Sequence, residues 1–141
     1  MLLLITKYRK MKKVILLSAF LLSVVLSSCD CDEFYSDIMG KATATPSMVS
    51  NGDTITLSVG GIISGSGEAT IGHKKYYPIV HYLIDGQEVA VSKEHSTPFY
   101  ATYVVKNLTP GDHIVTVEVN GSRKKAHYEN HVGASTLSVK E

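Results

Sequence analysis

The sequence predicts an all-β protein that folds as one antiparallel β-sandwich behind an amino-terminal export signal. Three observations support this. Several segments between residues 54 and 139 alternate polar and apolar side chains, the period of a strand with one buried face. Turn-forming residues separate these segments at intervals of roughly 8–12 residues, as in small sandwich domains. After residue 40, no segment shows the period of an amphipathic helix.

The first three strands are predicted from alternation and turns. Residues 54–59 follow an Asn-Gly-Asp turn signal and alternate without error. Their inward-facing side chains are Ile55, Leu57 and Val59. A second strand at residues 79–84 ends at Asp85-Gly86, a dipeptide typical of two-residue hairpin turns. Residues 87–92 are therefore predicted to be the returning strand.

Three further strands complete the predicted sandwich. Residues 99–105 place Phe99, Ala101, Tyr103 and Val105 on one face. A turn at Thr109–Asp112 precedes a strand at residues 113–119, and residues 136–139 form the last strand. The domain at residues 46–141 is close in length to the roughly 100 residues of an immunoglobulin-type sandwich.

Part of this domain resembles the bacterial Ig-like domains. The resemblance is carried by residues 82–89 around Asp85-Gly86, by Thr97-Pro98-Phe99, and by residues 108–117. Such domains occur in secreted adhesins and polysaccharide-degrading enzymes. The resemblance implies an Ig-like fold and a cell-surface context, and it brings no catalytic residues. His113 stands where these domains often have Tyr, so we expect its side chain to point into the end of the core.

The size and charge of the chain limit its function. The 141 residues are enough for one domain and too few for a TIM barrel or a complete dinucleotide-binding domain. Residues 1–28 hold five of the 14 basic residues and none of the 13 acidic ones. The remaining chain is therefore acidic, which argues against a nucleic-acid partner, since nucleic-acid binding needs a basic surface.

Residues 1–28 are predicted to be a lipoprotein signal peptide. A basic start at Met11-Lys12-Lys13 leads into an apolar run at residues 14–26, shorter than the roughly 20 residues that span a membrane. Leu26-Ser27-Ser28-Cys29 then resembles the lipobox of bacterial lipoproteins. The resemblance implies a diacylglycerol on the Cys29 sulfur, cleavage before Cys29 and acylation of the new amine. Membrane attachment through this lipid anchor is expected.

The residues after Cys29 indicate where the lipoprotein goes. The acidic cluster Asp30, Asp32 and Glu33 resembles the surface-export signal of Bacteroidetes lipoproteins, which implies an outer-membrane protein exposed at the cell surface. An inner-membrane retention signal at Asp30, or a merely solvated linker, remains an alternative. Residues 29–45 are predicted to be the lipidated cysteine and a flexible tether. Cys31 then lacks an intrachain partner, and its role stays open.

Metal binding and catalysis are not expected. His127 and His131 would share one face of a helix, but on a strand they are about 13 Å apart, too far for one ion. Asp53, Asp85 and Asp112 lie in turn signals, where capping of the backbone explains them. No nucleophile motif is present. The protein is therefore predicted to have no metal, no cofactor and no enzyme activity.

Two segments, residues 72–78 and 122–131, are predicted to be loops at the same end of the sandwich. They hold five of the nine basic residues that follow the signal peptide. Tyrosine rings stack on sugars, and basic groups hold carboxylate, sulfate or phosphate. The predicted binding residues are His73, Lys74, Lys75, Tyr76, Tyr77, Arg123, Lys124, Lys125, His127, Tyr128 and His131. The alternatives are charges that only aid solubility, or a surface that faces lipid headgroups.

The sequence thus predicts a non-catalytic cell-surface lipoprotein that binds a glycan or a protein through these two segments, as an adhesion module would. The alternative is a structural subunit of an outer-membrane or periplasmic complex, with an exposed strand edge or residues 34–39 as its contact. A small hydrolase ranks third. The sequence leaves the ligand, the oligomeric state and the orientation of the domain open.

Overall fold

The computed structural model describes residues 33–60, 69–92, 94 and 98–141. The predicted signal peptide, Cys29 and the acids Asp30 and Asp32 lie outside the described residues. The strands are β1 (Phe34–Thr45), β2 (Met48–Val49), β3 (Thr54–Gly60), β4 (Ala69–Ile71), β5 (Lys74–Tyr76), β6 (Pro78–Ile84), β7 (Gln87–Val91), β8 (Ala101–Val104), β9 (Gly111–Gly121), β10 (Ala126–Gly133) and β11 (Ser135–Val139). In these ranges, no helix is long and apolar enough to span a membrane.

The strands form two sheets that face each other, which confirms the predicted all-β sandwich and is consistent with an Ig-like arrangement. One sheet has the order β10-β1-β3-β8, the other the order β2-β11-β9-β6-β7, and β4 and β5 form a separate hairpin. The inward side chains of both sheets build one hydrophobic core. Its largest members are Tyr82, Phe99, Ile38, Ile55, Leu57, Leu137, Val49, Val59, Val80, Val105 and Val115.

The strands with clear alternation are confirmed. Residues 54–59 lie in β3, and the hairpin predicted around Asp85-Gly86 is formed by β6 and β7. Asp85 and Gly86 have φ angles of 51° and 81°, the left-handed conformations that a tight turn between twisted strands requires. The predicted inward faces of residues 99–105 and 113–119 are also found, with Phe99 and Val115 fully buried.

The flexible tether predicted at residues 29–45 is wrong for residues 34–45, which form β1. This strand pairs with both β10 and β3, and Ile38 and Ala42 are fully buried in the core. The pattern was hidden because small alanines and Ser36 occupy inward positions where a strand usually carries large apolar residues. The domain therefore begins at β1 rather than at residue 46.

The sheets are mixed rather than wholly antiparallel. Residues 34–41 of β1 pair in parallel with residues 126–133 of β10, and β2 pairs in parallel with β11. Residues 34–49 and residues 126–139 thus run side by side and pass together from one sheet to the other. The prediction of a wholly antiparallel sandwich is therefore wrong at these two pairs. Alternation of side chains is the same in parallel and antiparallel strands, so it does not predict the direction of pairing.

The two predicted loops are mostly strands. Within residues 72–78, only the turn at Gly72-His73 and the junction at Tyr77 lie outside β5 and β6. Within residues 122–131, the turn is limited to residues 122–125, because β10 begins at Ala126. Along β10 only Ala126 is buried, so this strand has none of the apolar alternation from which strands are predicted.

Candidate functional site

The two basic segments meet at the end of the sandwich where β1 begins. We call this the entry end and define it by residues 34, 73–78 and 121–126. The Ser122 backbone N–H donates to the Tyr77 carbonyl over 2.9 Å, and the Tyr77 N–H donates to Ser122 Oγ over 3.1 Å. Arg123 Nε donates to the Lys75 carbonyl over 3.0 Å. The predicted proximity of the two segments is therefore found.

The start of the domain belongs to the same end. The Phe34 backbone N–H donates to the Lys125 carbonyl over 2.7 Å, so β1 enters beside the basic turn. The turn itself is tight, since the Ala126 N–H donates to the Arg123 carbonyl over 3.0 Å. A Cβ atom on Gly121 would lie 1.9 Å from the Ala126 carbonyl oxygen, so only glycine fits where β9 passes into β10.

Most predicted basic residues lie on the surface of this end. His73, Lys74, Lys75, Arg123 and Lys124 are exposed, and Tyr77 and Lys125 are half-buried. The backbone of β5 and of the turn at residues 122–125 holds these side chains on adjacent segments. The arrangement is a compact basic surface that can hold an anionic group.

Of two predicted binding tyrosines near the entry end, one is buried and the other is half-buried. Tyr76 is only 1% exposed, and its ring centroid lies 6.2 Å from that of Phe34. Tyr128 is half-buried against the other side of Phe34, with ring centroids 5.7 Å apart. Burial raises the pKa of Tyr128 to about 12. Alternation along β5 and β10 turns both rings toward Phe34. The assignment of Tyr76 to a binding surface is wrong because its side chain is buried, whereas the half-buried Tyr128 stays a predicted binding residue.

His127 and His131 belong to a second surface, the outer face of β1 and β10, which we call the flank. Its outward side chains are Tyr35, Asp37 and Met39 on β1 and His127, Glu129 and His131 on β10. The Tyr35 ring is 69% exposed and stacks on His127, with ring centroids 4.7 Å apart. The Tyr35 hydroxyl donates to Glu33 Oε2 over 2.6 Å, and this hydrogen bond raises the pKa of Tyr35.

The flank carries a shallow groove of about 370 Å³ between β1 and β10. Tyr35, Asp37, His127 and Glu129 line it together with Ser36 and Tyr128. An exposed ring beside carboxylates suits the polar and apolar faces of a sugar. The sequence prediction missed Tyr35, Asp37 and Glu129. For Tyr35 and Asp37, the weak signal is the period-two spacing of Phe34 and Ile38, which Ser36 interrupts; no local signal marks Glu129.

Two other histidines serve the fold. His113 is only 7% exposed, and its ring nitrogens lie 2.5 Å from Asp85 Oδ2 and 2.7 Å from the Thr109 carbonyl oxygen. Because both partners are acceptors, the geometry favours the imidazolium, and the hydrogen bond with Asp85 raises the pKa of His113. His81 pairs with Glu88 on the neighbouring strand β7. The expectation that His113 points into the end of the core is confirmed.

Comparisons of the chain with protein-family models, with curated proteins and with solved structures returned no match. The function is therefore argued from the geometry of the entry end and the flank.

Proposed function

We propose that the protein is a non-catalytic, lipid-anchored binding module of the outer membrane, exposed at the cell surface, and that its entry end holds an anionic group of a glycan. One observation carries this proposal. Two basic segments that lie far apart in the sequence are hydrogen-bonded side by side, so that Lys74, Lys75 and Arg123 share one surface with the turn that follows Arg123.

The charge distribution supports an anionic ligand. The entry end holds five of the nine basic residues that follow the predicted signal peptide, although acidic residues outnumber basic ones in that part of the chain. Arginine offers a planar fork of donors, and lysine offers a mobile ammonium group. Together they suit carboxylate, sulfate or phosphate groups, and the half-buried Tyr77 offers an aromatic edge beside them.

The position of the predicted anchor limits where the ligand can be. Cys29 precedes Phe34 by five positions, and an extended segment of that length reaches at most about 18 Å. A lipid on Cys29 would thus hold the entry end close to the membrane. Anionic groups available there come from membrane-proximal glycans or from lipid headgroups, which share the same chemistry. The experiment must therefore distinguish these two sources.

Binding to soluble polyanions tests the basic surface. We expect the protein to bind dextran sulfate and not neutral dextran, and added salt should weaken this binding. The variant Arg123→Gln/Lys124→Gln/Lys125→Gln should bind about tenfold more weakly, since three charge contacts contribute roughly 0.5 kcal/mol each. The control is Lys106→Gln/Lys140→Gln, which removes two exposed lysines from the opposite end. Equal binding by both variants would exclude the entry end as the binding surface.

Vesicles separate the two sources of anionic groups. Binding of the full chain to phosphatidylcholine vesicles that contain anionic phosphatidylglycerol should be compared with its binding to vesicles that lack it. The same two variants are measured alongside the wild type. Preference for dextran sulfate over anionic vesicles supports a glycan ligand. Preference for the vesicles would assign the basic surface to lipid headgroups and remove the glycan from the proposal.

The proposed location has its own test. Cys29→Ala should move the protein from the membrane fraction to the soluble fraction, since the acyl chains provide the attachment. Protease added to intact cells should degrade the wild-type protein if it faces outward. Protection until lysis would place the domain in the periplasm and favour a structural subunit.

A structural subunit remains the second candidate because β10 forms an edge of its sheet. Edge strands present backbone groups to which another chain can add a strand. Chemical crosslinking in native membranes checks this, and recovery of one partner in equal amounts through residues of β10 would favour assembly over glycan binding.

A further inference from the structure

The flank brings together three side chains that can ligate a metal ion, and this inference is independent of the proposed function. Asp37 on β1 and Glu129 on β10 are direct partners in the parallel register, and His131 lies two positions further along β10. Alternation turns all three outward, so their side chains leave the same face of the sheet. They are contributed by two paired strands, whose backbone hydrogen bonds set the spacing of the three Cα atoms.

The distances suit a small divalent ion. His131 Nε2 lies 3.6 Å from Glu129 Oε1 and 4.0 Å from Asp37 Oδ1, and one ligand atom from each residue lies within 4.8 Å of the others. In a tetrahedral zinc site with metal–ligand distances of about 2.0–2.2 Å, neighbouring ligand atoms are about 3.3–3.6 Å apart. The longer distances in the structure exceed those of a zinc site, and rotations of the three exposed side chains can shorten them.

The electrostatics of the flank also favour a cation. Two carboxylates directly opposite each other on neighbouring strands repel, which destabilises the pair unless positive charge lies between them. A divalent ion held by both carboxylates and by His131 removes this repulsion. The nitrogen ligand favours zinc over calcium or magnesium, which prefer oxygen ligands alone. The exposure of all three residues leaves room for water at the remaining coordination position.

We propose that Asp37, Glu129 and His131 form a zinc-binding site on the flank. Asp37 and Glu129 line the same groove as Tyr35 and His127, so a bound ion would contribute a Lewis acid within a candidate sugar-binding surface. The expectation of no metal was based on the spacing of His127 and His131 along one strand. Carboxylates on a neighbouring strand fall outside that spacing argument, because Asp37 lies in a segment predicted to be tether and found to be β1.

Zinc titration of the full chain tests the proposal. Isothermal calorimetry with zinc at pH 7.5, in a buffer that does not bind metals, should show saturable one-to-one binding, and zinc should raise the melting temperature. Asp37→Asn and His131→Ala should each weaken binding more than about tenfold, since even residues that only orient ligands contribute tenfold or more. Melting curves without zinc establish that the variants fold, and His131→Gln replaces His131→Ala if the latter does not.

Three controls locate the ion. His127→Ala removes the other histidine of the flank, and Glu88→Gln breaks the histidine–carboxylate pair on β6 and β7, so both should bind zinc like the wild type. Cys31→Ser should also retain binding, and cobalt(II) in place of zinc should show no thiolate charge-transfer band. The proposal is overturned if the wild type does not bind zinc, if His131→Ala binds it equally well, or if cobalt shows thiolate ligation.

Discussion

The two ends of the sandwich use their polar residues in opposite ways. At the end opposite the entry end, which we call the turn end, side chains bind backbone groups. Asp85 pairs with His113 and also accepts from the Ile114 N–H over 2.9 Å. The Asn51 side chain donates to the Leu108 carbonyl over 2.8 Å and accepts from the Leu108 N–H over 3.1 Å. These polar groups stabilise turns.

At the entry end, backbone groups bind one another, Ser122 Oγ and Arg123 Nε add two bonds between side chain and backbone, and the basic side chains are exposed or half-buried. The bonds from Phe34 to Lys125 and from Ser122 to Tyr77 join three segments through their main chains. The difference teaches that charge alone does not identify a site, because a charged side chain can serve to stabilise a turn, as Asp85 does at the turn end. Side-chain substitutions should therefore damage folding at the turn end and binding at the entry end.

The largest effect is expected from a glycine at the entry end. Gly121→Ala places a methyl group 1.9 Å from the Ala126 carbonyl oxygen and 2.8 Å from its Cβ, so the backbone must move. We expect the free energy of unfolding to fall by about 3 kcal/mol or more. Urea denaturation measures this change.

The matched control for this glycine is Gly133→Ala, on β10. There the added methyl group would have its nearest neighbour, the Gly40 carbonyl oxygen, at 3.7 Å, an ordinary contact. Its effect should stay within about 0.5 kcal/mol. Equal losses in the two variants would show that the main-chain contact between β9 and β10 does not hold the entry end together.

The next largest effect is expected from a side chain at the turn end. His113→Ala removes a buried ring and leaves Asp85 and the Thr109 carbonyl without this partner. We expect a loss of about 2–3 kcal/mol in the free energy of unfolding. His127→Ala removes an exposed histidine of the flank and should change stability by less than about 0.5 kcal/mol. A larger loss from His127→Ala than from His113→Ala would contradict the assignment of His113, rather than an exposed histidine, to the stability of the fold.

The same pair predicts a pH dependence of stability. The hydrogen bond with Asp85 raises the pKa of His113 above 6.5, so its contribution is complete below pH 6.5 and is lost as the pH rises through the raised pKa. The bond with His113 lowers the pKa of Asp85 below 3.8, so its contribution is complete above pH 3.8 and is lost at lower pH. Melting temperatures from pH 3 to 9 should fall on both sides of this window. In His113→Gln, the fall in melting temperature on the alkaline side should be smaller than in the wild type. An unchanged dependence of melting temperature on pH would show that the His113–Asp85 pair does not cause it.

The sequence predicted the elements whose evidence is local. Asp85-Gly86 specifies its turn by its own conformations, and residues 54–59 show their buried face by alternation alone. It could not predict β1 and β10, because β1 buries small residues such as Ala42 and Ala44, and β10 buries only Ala126. The flank depends on a register between strands at opposite ends of the chain, so no local pattern places Asp37 beside Glu129.

The smallest effect on stability is expected from the basic turn at residues 122–125. This turn tests the contrast between the two ends directly, because its charged side chains are proposed to serve binding. In Arg123→Gln/Lys124→Gln/Lys125→Gln, the backbone bonds from Phe34 to Lys125 and from Ala126 to Arg123 remain, because they do not involve the exchanged side chains. The side-chain bond from Arg123 Nε to the Lys75 carbonyl is lost, at an exposed position. We expect the free energy of unfolding to change by less than about 0.5 kcal/mol, as for most exposed charge pairs.

Urea denaturation, run beside the dextran sulfate assay, measures stability and binding in the same variant. A loss of stability equal to that of His113→Ala would mean that the charged side chains at the entry end also build the fold, and the contrast between the two ends would no longer support a binding surface there.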